Sequence, residues 1–282
     1  MTEIKERAIN FWVRYKRNKL AVIGLVILTF VSTVAALASF IAPNSPIQSA
    51  FGPSYSPPSR EFLLGTDNLG RDIFSGLVYG TRIALLVGLL AASTAALIGT
   101  VVGIVSGYFG GIADDILMRI TETMMVIPKL LFAIVLATLF GTTIWNIIFI
   151  IGILSWPTIA RIVRAEVLSL KNRGFVEAAR SIGSSDFNIM FTEILPNSLH
   201  VLTVSGSLQI ASAILTEASL SFLGLSDPNI LSWGRMLSIA QSSVFGGAWW
   251  MIIFPGVAIL VTILAFNAVG DGLNEAMNPK LK

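Results

Sequence analysis

The sequence predicts an all-α, polytopic membrane protein with six transmembrane helices. Hydrophobic residues make up 54% of the 282 residues and charged residues only 12%, whereas ordinary soluble domains are roughly 45–50% apolar and about 25% charged. A helix needs roughly 20 mainly apolar residues to cross a bilayer core of about 30 Å. Six windows reach that length, at residues 20–42, 83–108, 116–140, 144–163, 199–220 and 248–269. No stretch has the ten-residue alternation typical of transmembrane strands, which favours helices.

The distribution of Lys and Arg predicts the orientation of these spans. Basic residues are retained on the cytoplasmic side of a membrane, so the segment before the first window is predicted to be cytoplasmic. Six spans return the C-terminus to the same side. Predicted cytoplasmic segments exceed outer loops in basic residues by about three to one. The residues at the two ends that carry this prediction are Lys5, Arg7, Arg14, Lys16, Arg17, Lys19, Lys280 and Lys282.

The first outer loop divides the predicted organisation into two parts. Residues 1–82 hold an N-terminal cytoplasmic segment, the first span and an extracytoplasmic loop, and residues 83–282 hold a five-helix core. Asp67, Arg71 and Asp72 in this loop suggest a cation site. However, the stretch "DNLGRD" lacks the alternating oxygen ligands of a calcium loop. We therefore expect a turn followed by a helix lying at the membrane interface.

Small residues recur every four positions in the second span, at Ala91, Ala95, Gly99, Gly103 and Gly107. Helices in lipid associate by close backbone approach through such faces. The pattern predicts that this span packs either in the middle of the bundle or against a second membrane subunit.

Lys129 is predicted to lie at membrane depth in the third span, beside Pro128. An ionisable group in the membrane is costly and is a functional candidate by default. Glu122 and Glu217 are its candidate partners. Lys129 and Glu217 are therefore candidate residues of a translocation path, with snorkelling or a structural ion pair as the alternative for Lys129.

The composition excludes most enzyme chemistry and nucleic-acid binding. The chain has no Cys and one His, so it has no pair of the usual soft zinc ligands. No phosphate-binding G-x-x-x-x-G-K-[ST] loop is present, and no basic cluster is interleaved with aromatic residues as in single-strand binding. We expect a non-catalytic chain that binds no cofactor and no nucleic acid.

A charged stretch interrupts the apolar windows at residues 175–197, "FVEAARSIGSSDFNIMFTEILPN". Phe175, Ala179 and Ile182 recur at helical spacing and predict one apolar face. Gly183 is typical of a left-handed helix stop.

Ser184 and Ser185 then predict the N-cap of a second short helix, which Pro196 interrupts. The face predicted for this second helix comprises Phe187, Met190, Phe191 and Ile194. Such a unit lies either on the lipid surface or in a groove of a soluble partner, where small side chains permit close approach.

The stretch "EAARSIGSSDFNIMFTEILP" resembles the EAA loop of the membrane subunits of binding-protein-dependent ABC importers. The matching residues are Glu177, Ala178, Ala179, Gly183, Leu195 and Pro196, while Glu193 replaces a usual apolar residue. "LLGTDNLGRDIFSGLVYGTR", "TEASLSFLGL" and "GDGLNEAMNP" extend the resemblance to the C-type permease subunit of oligopeptide and dipeptide importers.

The resemblance implies a type I importer (MetI-like) permease fold in the inner membrane. It also implies a homologous B-type permease, an extracytoplasmic solute-binding protein, and two ABC ATPase subunits that bind ATP and Mg. Peptides are the expected substrate, with oligosaccharides or nickel chelates as alternatives. A secondary transporter would be expected to show internal repeats or a chain of ionisable groups in the spans, whereas the sequence has only isolated ionisable groups there.

In such importers the EAA loop, here residues 164–197, couples the ATPase to the membrane helices. The resemblance assigns Ala178 and Ala179 to a close fit with the ATPase, Glu177 to a polar contact and Gly183 to the turn. The full set of expected coupling residues is Phe175, Glu177, Ala178, Ala179, Arg180, Ile182 and Gly183.

Overall fold

The computed structural model describes residues 11–49 and 51–277. Lys5, Arg7, Lys280 and Lys282, which entered the topology prediction, lie outside the described residues. Within the described ranges all regular elements are helical, and the single isolated bridge joins Thr66 to Asp72. The all-α prediction is confirmed.

Nine helices of eight or more residues form the described part of the molecule: α1 Lys19–Ala36, α2 Ile73–Phe109, α3 Gly111–Val126, α4 Lys129–Phe140, α5 Ile144–Leu170, α6 Gly174–Ser181, α7 Asp186–Phe222, α8 Trp233–Ala240 and α9 Trp250–Met277. By length and composition, α1, α2, α5, α7 and α9 are each able to cross a membrane.

The third predicted span is a bent pair of helices rather than one straight helix. α3 and α4 meet at 89°, and Ile127 between them has an extended backbone with φ −74° and ψ 126°. A residue before proline is pushed out of the helical region, and Pro128 follows Ile127 directly. The expectation of a continuous span over 116–140 is therefore wrong.

Contacts at the two ends of the bundle show that the bent pair still traverses it. Asp114, near the start of α3, binds Arg164 close to the EAA segment. At the other end, the Asn146 side-chain amide donates to the Phe140 carbonyl at 2.6 Å, and the Ile144 N–H donates to Asp227 at 3.3 Å. By length and composition, the pair is able to serve as a sixth span beside the five single helices.

α2 begins ten residues before the predicted second span. The Asp72 carboxylate accepts hydrogen bonds from the N–H groups of Phe74 and Ser75 and caps the helix there. At 37 residues, α2 is about 55 Å long, which exceeds a bilayer core. Within residues 51–82 there is thus no interfacial helix separate from α2, and the expected division at residue 82 lies inside α2.

The small-residue face of α2 packs against α5 of the same chain. A Cβ on Gly103 would lie 2.6 Å from the Ala160 carbonyl oxygen and 2.7 Å from the Val163 Cβ. A Cβ on Gly107 would lie 2.8 Å from the Val167 Cβ. Close approach of the two backbones therefore requires glycine, and this face belongs to the bundle interior.

Residues 43–49, 51–72 and 223–249 lie over one end of the bundle, and we call this region the cap. Two indole N–H groups fasten its parts to the helices: Trp233, within 223–249, donates to the Leu77 carbonyl of α2 at 2.9 Å, and Trp250, the first residue of α9, donates to the Thr66 carbonyl, within 51–72, at 3.1 Å. The residues 171–185 lie at the opposite end, which we call the EAA end.

Candidate functional site

α6 lies across the EAA end with one face against its own chain. Val176 is fully buried and Ala179 is 8% exposed, and both join a cluster with residues of α2, α5 and α7. Phe175, Glu177, Ala178 and Arg180 are exposed, and Ile182 is 84% exposed. α6 therefore has an inward face and an outward face.

The predicted apolar face of Phe175, Ala179 and Ile182 is divided between these two sides. The inward face is centred between Val176 and Ala179, and the sequence analysis did not include Val176. Ile182 is the C-cap of α6, with non-helical φ −87° and ψ 8°, so helical spacing no longer sets its direction. Ala179 consequently packs inside the chain, whereas Ala178 is exposed, and the close fit of these residues with the ATPase stays a prediction.

Gly183 ends α6 as predicted. Its φ is +81°, in the left-handed region that glycine adopts without steric cost. The Ser184 N–H donates to the Ala179 carbonyl at 3.1 Å, and the Gly183 N–H donates to the Arg180 carbonyl at 3.0 Å. An added Cβ on Gly183 would meet nothing within 4 Å, so the backbone conformation is what requires glycine.

The helix after the turn differs from its prediction at Pro196. The Ser185 side chain accepts a hydrogen bond from the Asn188 N–H at 3.3 Å, as expected of an N-cap. The helix then widens into a π-helical turn at Ile189–Ile194 and continues to Phe222. This widened turn accommodates the missing N–H and the ring of Pro196. No separate short helix ends there.

Only part of the predicted face of this second helix is buried. Met190 and Ile194 are buried, whereas Phe187 is 68% exposed. The Phe187 and Phe191 rings lie 4.5 Å apart, so Phe187 contacts the chain at the edge of the EAA turn rather than in its core.

Polar contacts fasten the EAA turn to the end of α2. The Tyr108 Oη donates to the Asp186 carboxylate at 2.6 Å, and the Arg180 guanidinium lies 6.0 Å from the Tyr108 ring centroid. The Tyr108 phenol, followed by the Asp186 carboxylate, raises the pKa of Arg180 above its ordinary value. Sequence reasoning missed Tyr108 and Asp186, because their contact spans 78 positions.

The proposed path residues Lys129 and Glu217 form no ion pair with each other among the described residues. Lys129 is half-buried at the first position of α4, and in the described ranges it forms no ion pair with Glu122 or Glu217. Glu217 is 4% exposed and accepts a hydrogen bond from the Ser221 hydroxyl at 2.6 Å. Neither candidate partner therefore forms an ion pair with Lys129 in the part of the chain that the structure describes.

The charged cluster of the cap is satisfied internally. Asp67 binds the Arg71 guanidinium at 2.6 Å and accepts from the backbone N–H groups of Leu69 and Arg71, while Asp72 caps α2. Among the described residues, no group of three metal-ligating side chains could hold a metal ion. The residues that suggested a cation site thus hold a turn together.

Comparison with known families matches two parts of the chain. The model of "Binding-protein-dependent transport system inner membrane component" matches residues 99–282, which include the whole EAA loop. The chain belongs to this family. The model of "N-terminal TM domain of oligopeptide transport permease C" matches residues 9–58, and the predicted membership is confirmed.

Relatives within this family cover almost the whole chain. A dipeptide transport system permease protein of Bacillus subtilis is 41% identical over 96% of this chain and 85% of the relative. One of Escherichia coli K12 is 43% identical over 100% of this chain and 95% of the relative. A glutathione transport system permease protein of Pectobacterium atrosepticum is 39% identical over 97% and 91%.

A solved structure shares the fold. The chain matches one from an inward-facing methionine ABC transporter with a TM-score of 0.59 at 19% identity, over 72% of this chain and 96% of that one. The likeness shows the permease fold that the sequence predicted.

Proposed function

We propose that the chain is a non-catalytic, membrane-spanning subunit of an ATP-driven importer that passes di- or oligopeptides into the cell. The observation that carries the coupling role is the outward face of α6. Phe175, Ala178 and the 84% exposed Ile182 lie together with Glu177 and Arg180 at the EAA end. A short helix with small and apolar exposed residues suits a groove on a soluble partner.

Four partners follow from this role. Two ATPase subunits, which hold ATP and Mg, dock at the EAA end, and one of them receives α6. A homologous B-type permease completes the membrane part. A solute-binding protein delivers substrate at the cap, so the cap is extracytoplasmic and both termini are cytoplasmic. The excess of basic residues outside the cap supports this orientation.

The substrate class rests on the relatives. Their names specify dipeptides and glutathione, and these compounds share a free carboxylate and peptide bonds. We therefore propose peptides, and we keep oligosaccharides and nickel chelates as arms of the test.

Lys129 and Glu217 take different roles in the proposed path. Lys129 is half-buried at the bend between α3 and α4, where its ammonium has no carboxylate partner among the described residues, and we assign it to the path. Glu217 is buried and bound to Ser221, and we assign it to the wall that supports the path.

The test is the ATPase activity of the complete complex in lipid vesicles, together with its binding protein. The binding protein is loaded in turn with a peptide mixture, an oligosaccharide mixture or a nickel chelate. We expect stimulation by peptides together with peptide uptake. Stimulation by another mixture alone would overturn the peptide assignment, and an assembled complex that responds to none would overturn the importer proposal.

A further inference from the structure

Tyr108, the penultimate residue of α2, contacts both sides of the EAA turn. Its hydroxyl donates to Asp186 in the first turn of α7 at 2.6 Å. Its ring lies 6.0 Å from the guanidinium of Arg180, which belongs to α6. Arg180 and Asp186 flank Gly183. One side chain of α2 thus joins the two segments that the turn separates.

Packing and a hydrogen bond to a charged group together restrict the movement of the Tyr108 side chain. Its side chain is 9% exposed and lies in the same cluster as Val176 and Ala179, the inward residues of α6. A hydrogen bond from a hydroxyl to a carboxylate is shorter and stronger than one between neutral groups. A ring held by packing and a hydroxyl held by a charge therefore resist separate movement of α2 and α6.

Other polar contacts at this end hold different parts of the bundle. The Lys171 ammonium donates to the Gly107 carbonyl at 3.0 Å, but Lys171 follows α5 and precedes α6. Arg164 forms a two-bond ion pair with Asp114, which joins α5 to α3. Neither contact includes a residue of α6 or α7, whereas Tyr108 contacts both.

We propose that Tyr108 is a positioning residue that transmits displacement of α6 into α2 through Asp186 and Arg180. This inference rests on the coupling role proposed for α6. When the ATPase moves α6, the contact moves the end of α2 with it. Because the glycine face of α2 is packed against α5, α2 carries the displacement into the membrane part of the bundle.

Tyr108→Phe separates this role from packing, since it removes the hydroxyl and keeps the ring. In the reconstituted complex, we expect about tenfold less peptide transported per ATP hydrolysed, because the variant loses one hydrogen bond to a charged group. The ATPase subunits still co-purify with the variant. Asp186→Ala removes the acceptor and should act similarly, and the double variant should be no worse than either single variant, because both remove the same interaction.

Tyr79→Phe is the matched control. Tyr79 lies on the same helix at the cap end, and its ring also lies near an arginine, with 5.6 Å from the Arg82 guanidinium to the ring centroid. The same atomic change there should leave transport per ATP at the wild-type value.

A distance measurement tests transmission directly. The chain contains no Cys, so Phe109→Cys and Asp271→Cys place two spin labels at exposed positions at the ends of α2 and α9. We expect trapping with ATP and vanadate to change the label distance in the wild-type background and not in the Tyr108→Phe background.

The outcomes separate this inference from the proposed function. A coupled wild-type complex with equal coupling and equal distance changes in Tyr108→Phe would overturn the role of Tyr108 alone. A wild-type complex whose ATPase ignores loaded binding protein would overturn both proposals.

Discussion

Gly183 sets the angle between α6 and α7 through its backbone, and this makes it a sharp test of the coupling role. A branched residue at φ +81° is strained by at least about 1–2 kcal/mol. We expect Gly183→Val to reduce transport about tenfold while ATPase activity and membrane insertion persist. Asn tolerates the left-handed region better, so Gly183→Asn is the control and should retain most transport. Equal transport by both variants at equal expression would contradict the role.

Ile182 is exposed in the chain alone, and we expect the docked ATPase to bury its side chain. Because its side chain is 84% exposed in the chain alone, Ile182→Asp should leave folding intact and weaken co-purification of the ATPase subunits. Ala179→Asp places the same carboxylate at an 8% exposed position, and it should instead lower thermal stability of the isolated chain. Retention of the ATPase by Ile182→Asp would place the docking surface elsewhere.

Lys129 combines partial burial with the absence of a carboxylate partner in the described ranges. If its ammonium lines the path, Lys129→Met removes a charge that passing substrate meets. We expect reduced peptide uptake with normal assembly, measured in vesicles of the reconstituted complex. Lys129→Arg keeps the charge and should retain more uptake. Normal uptake by the Met variant would remove Lys129 from the path.

Among the helix contacts, the packing of α2 on α5 is the most sensitive to the size of the side chains between the two helices. A Cβ on Gly103 would lie 2.6 Å from a backbone oxygen, which cannot move without shifting α5. We expect Gly103→Val to abolish accumulation of folded protein in the membrane. Gly206, in α7, has nothing within 4 Å of an added Cβ, and Gly206→Ala should be tolerated. Normal accumulation of Gly103→Val would show that the two helices separate in the membrane.

Sequence patterns predicted a helix or its packing face correctly where one physical property determines it. Apolar length located the spans, and the small-residue period located the face of α2. The predictions were wrong where two causes compete. Proline at position 128 bends a span that hydropathy alone treats as continuous. Proline at position 196 does not end α7, because the π-helical turn before it absorbs the distortion.

The EAA site could be predicted only as far as local sequence determines it. The spacing and the left-handed glycine are local features. Which side of α6 faces inward depends on α2 and α5, so helical periodicity alone did not place Val176 inward or Ile182 outward. The contact of Tyr108 with Asp186 is long-range, and its signal in the sequence was limited to a tyrosine beside Gly107 near the end of an apolar run.

Across the whole molecule, the cap and the EAA turn lie at opposite ends of the helices. The cap holds the start of α2 through Asp72, and the EAA end holds its last turn through Tyr108. α2 therefore connects the surface proposed to meet the binding protein with the surface proposed to meet the ATPase. Such a continuous helix is a physical route for coupling between two distant surfaces.

The orientation of these two ends gives the last prediction. In the proposed topology, six crossings put the cap and the EAA end on opposite sides of the membrane, with the EAA end inside as the basic residues predict. Since the chain has no Cys, Ser59→Cys in the cap and Asn172→Cys at the EAA end, both exposed, each provide one label site. An impermeant maleimide should label Ser59→Cys in right-side-out vesicles and Asn172→Cys only in inside-out vesicles. Labelling of both from one side would mean that α3 and α4 do not cross, and the proposed coupling between the two surfaces would then fail.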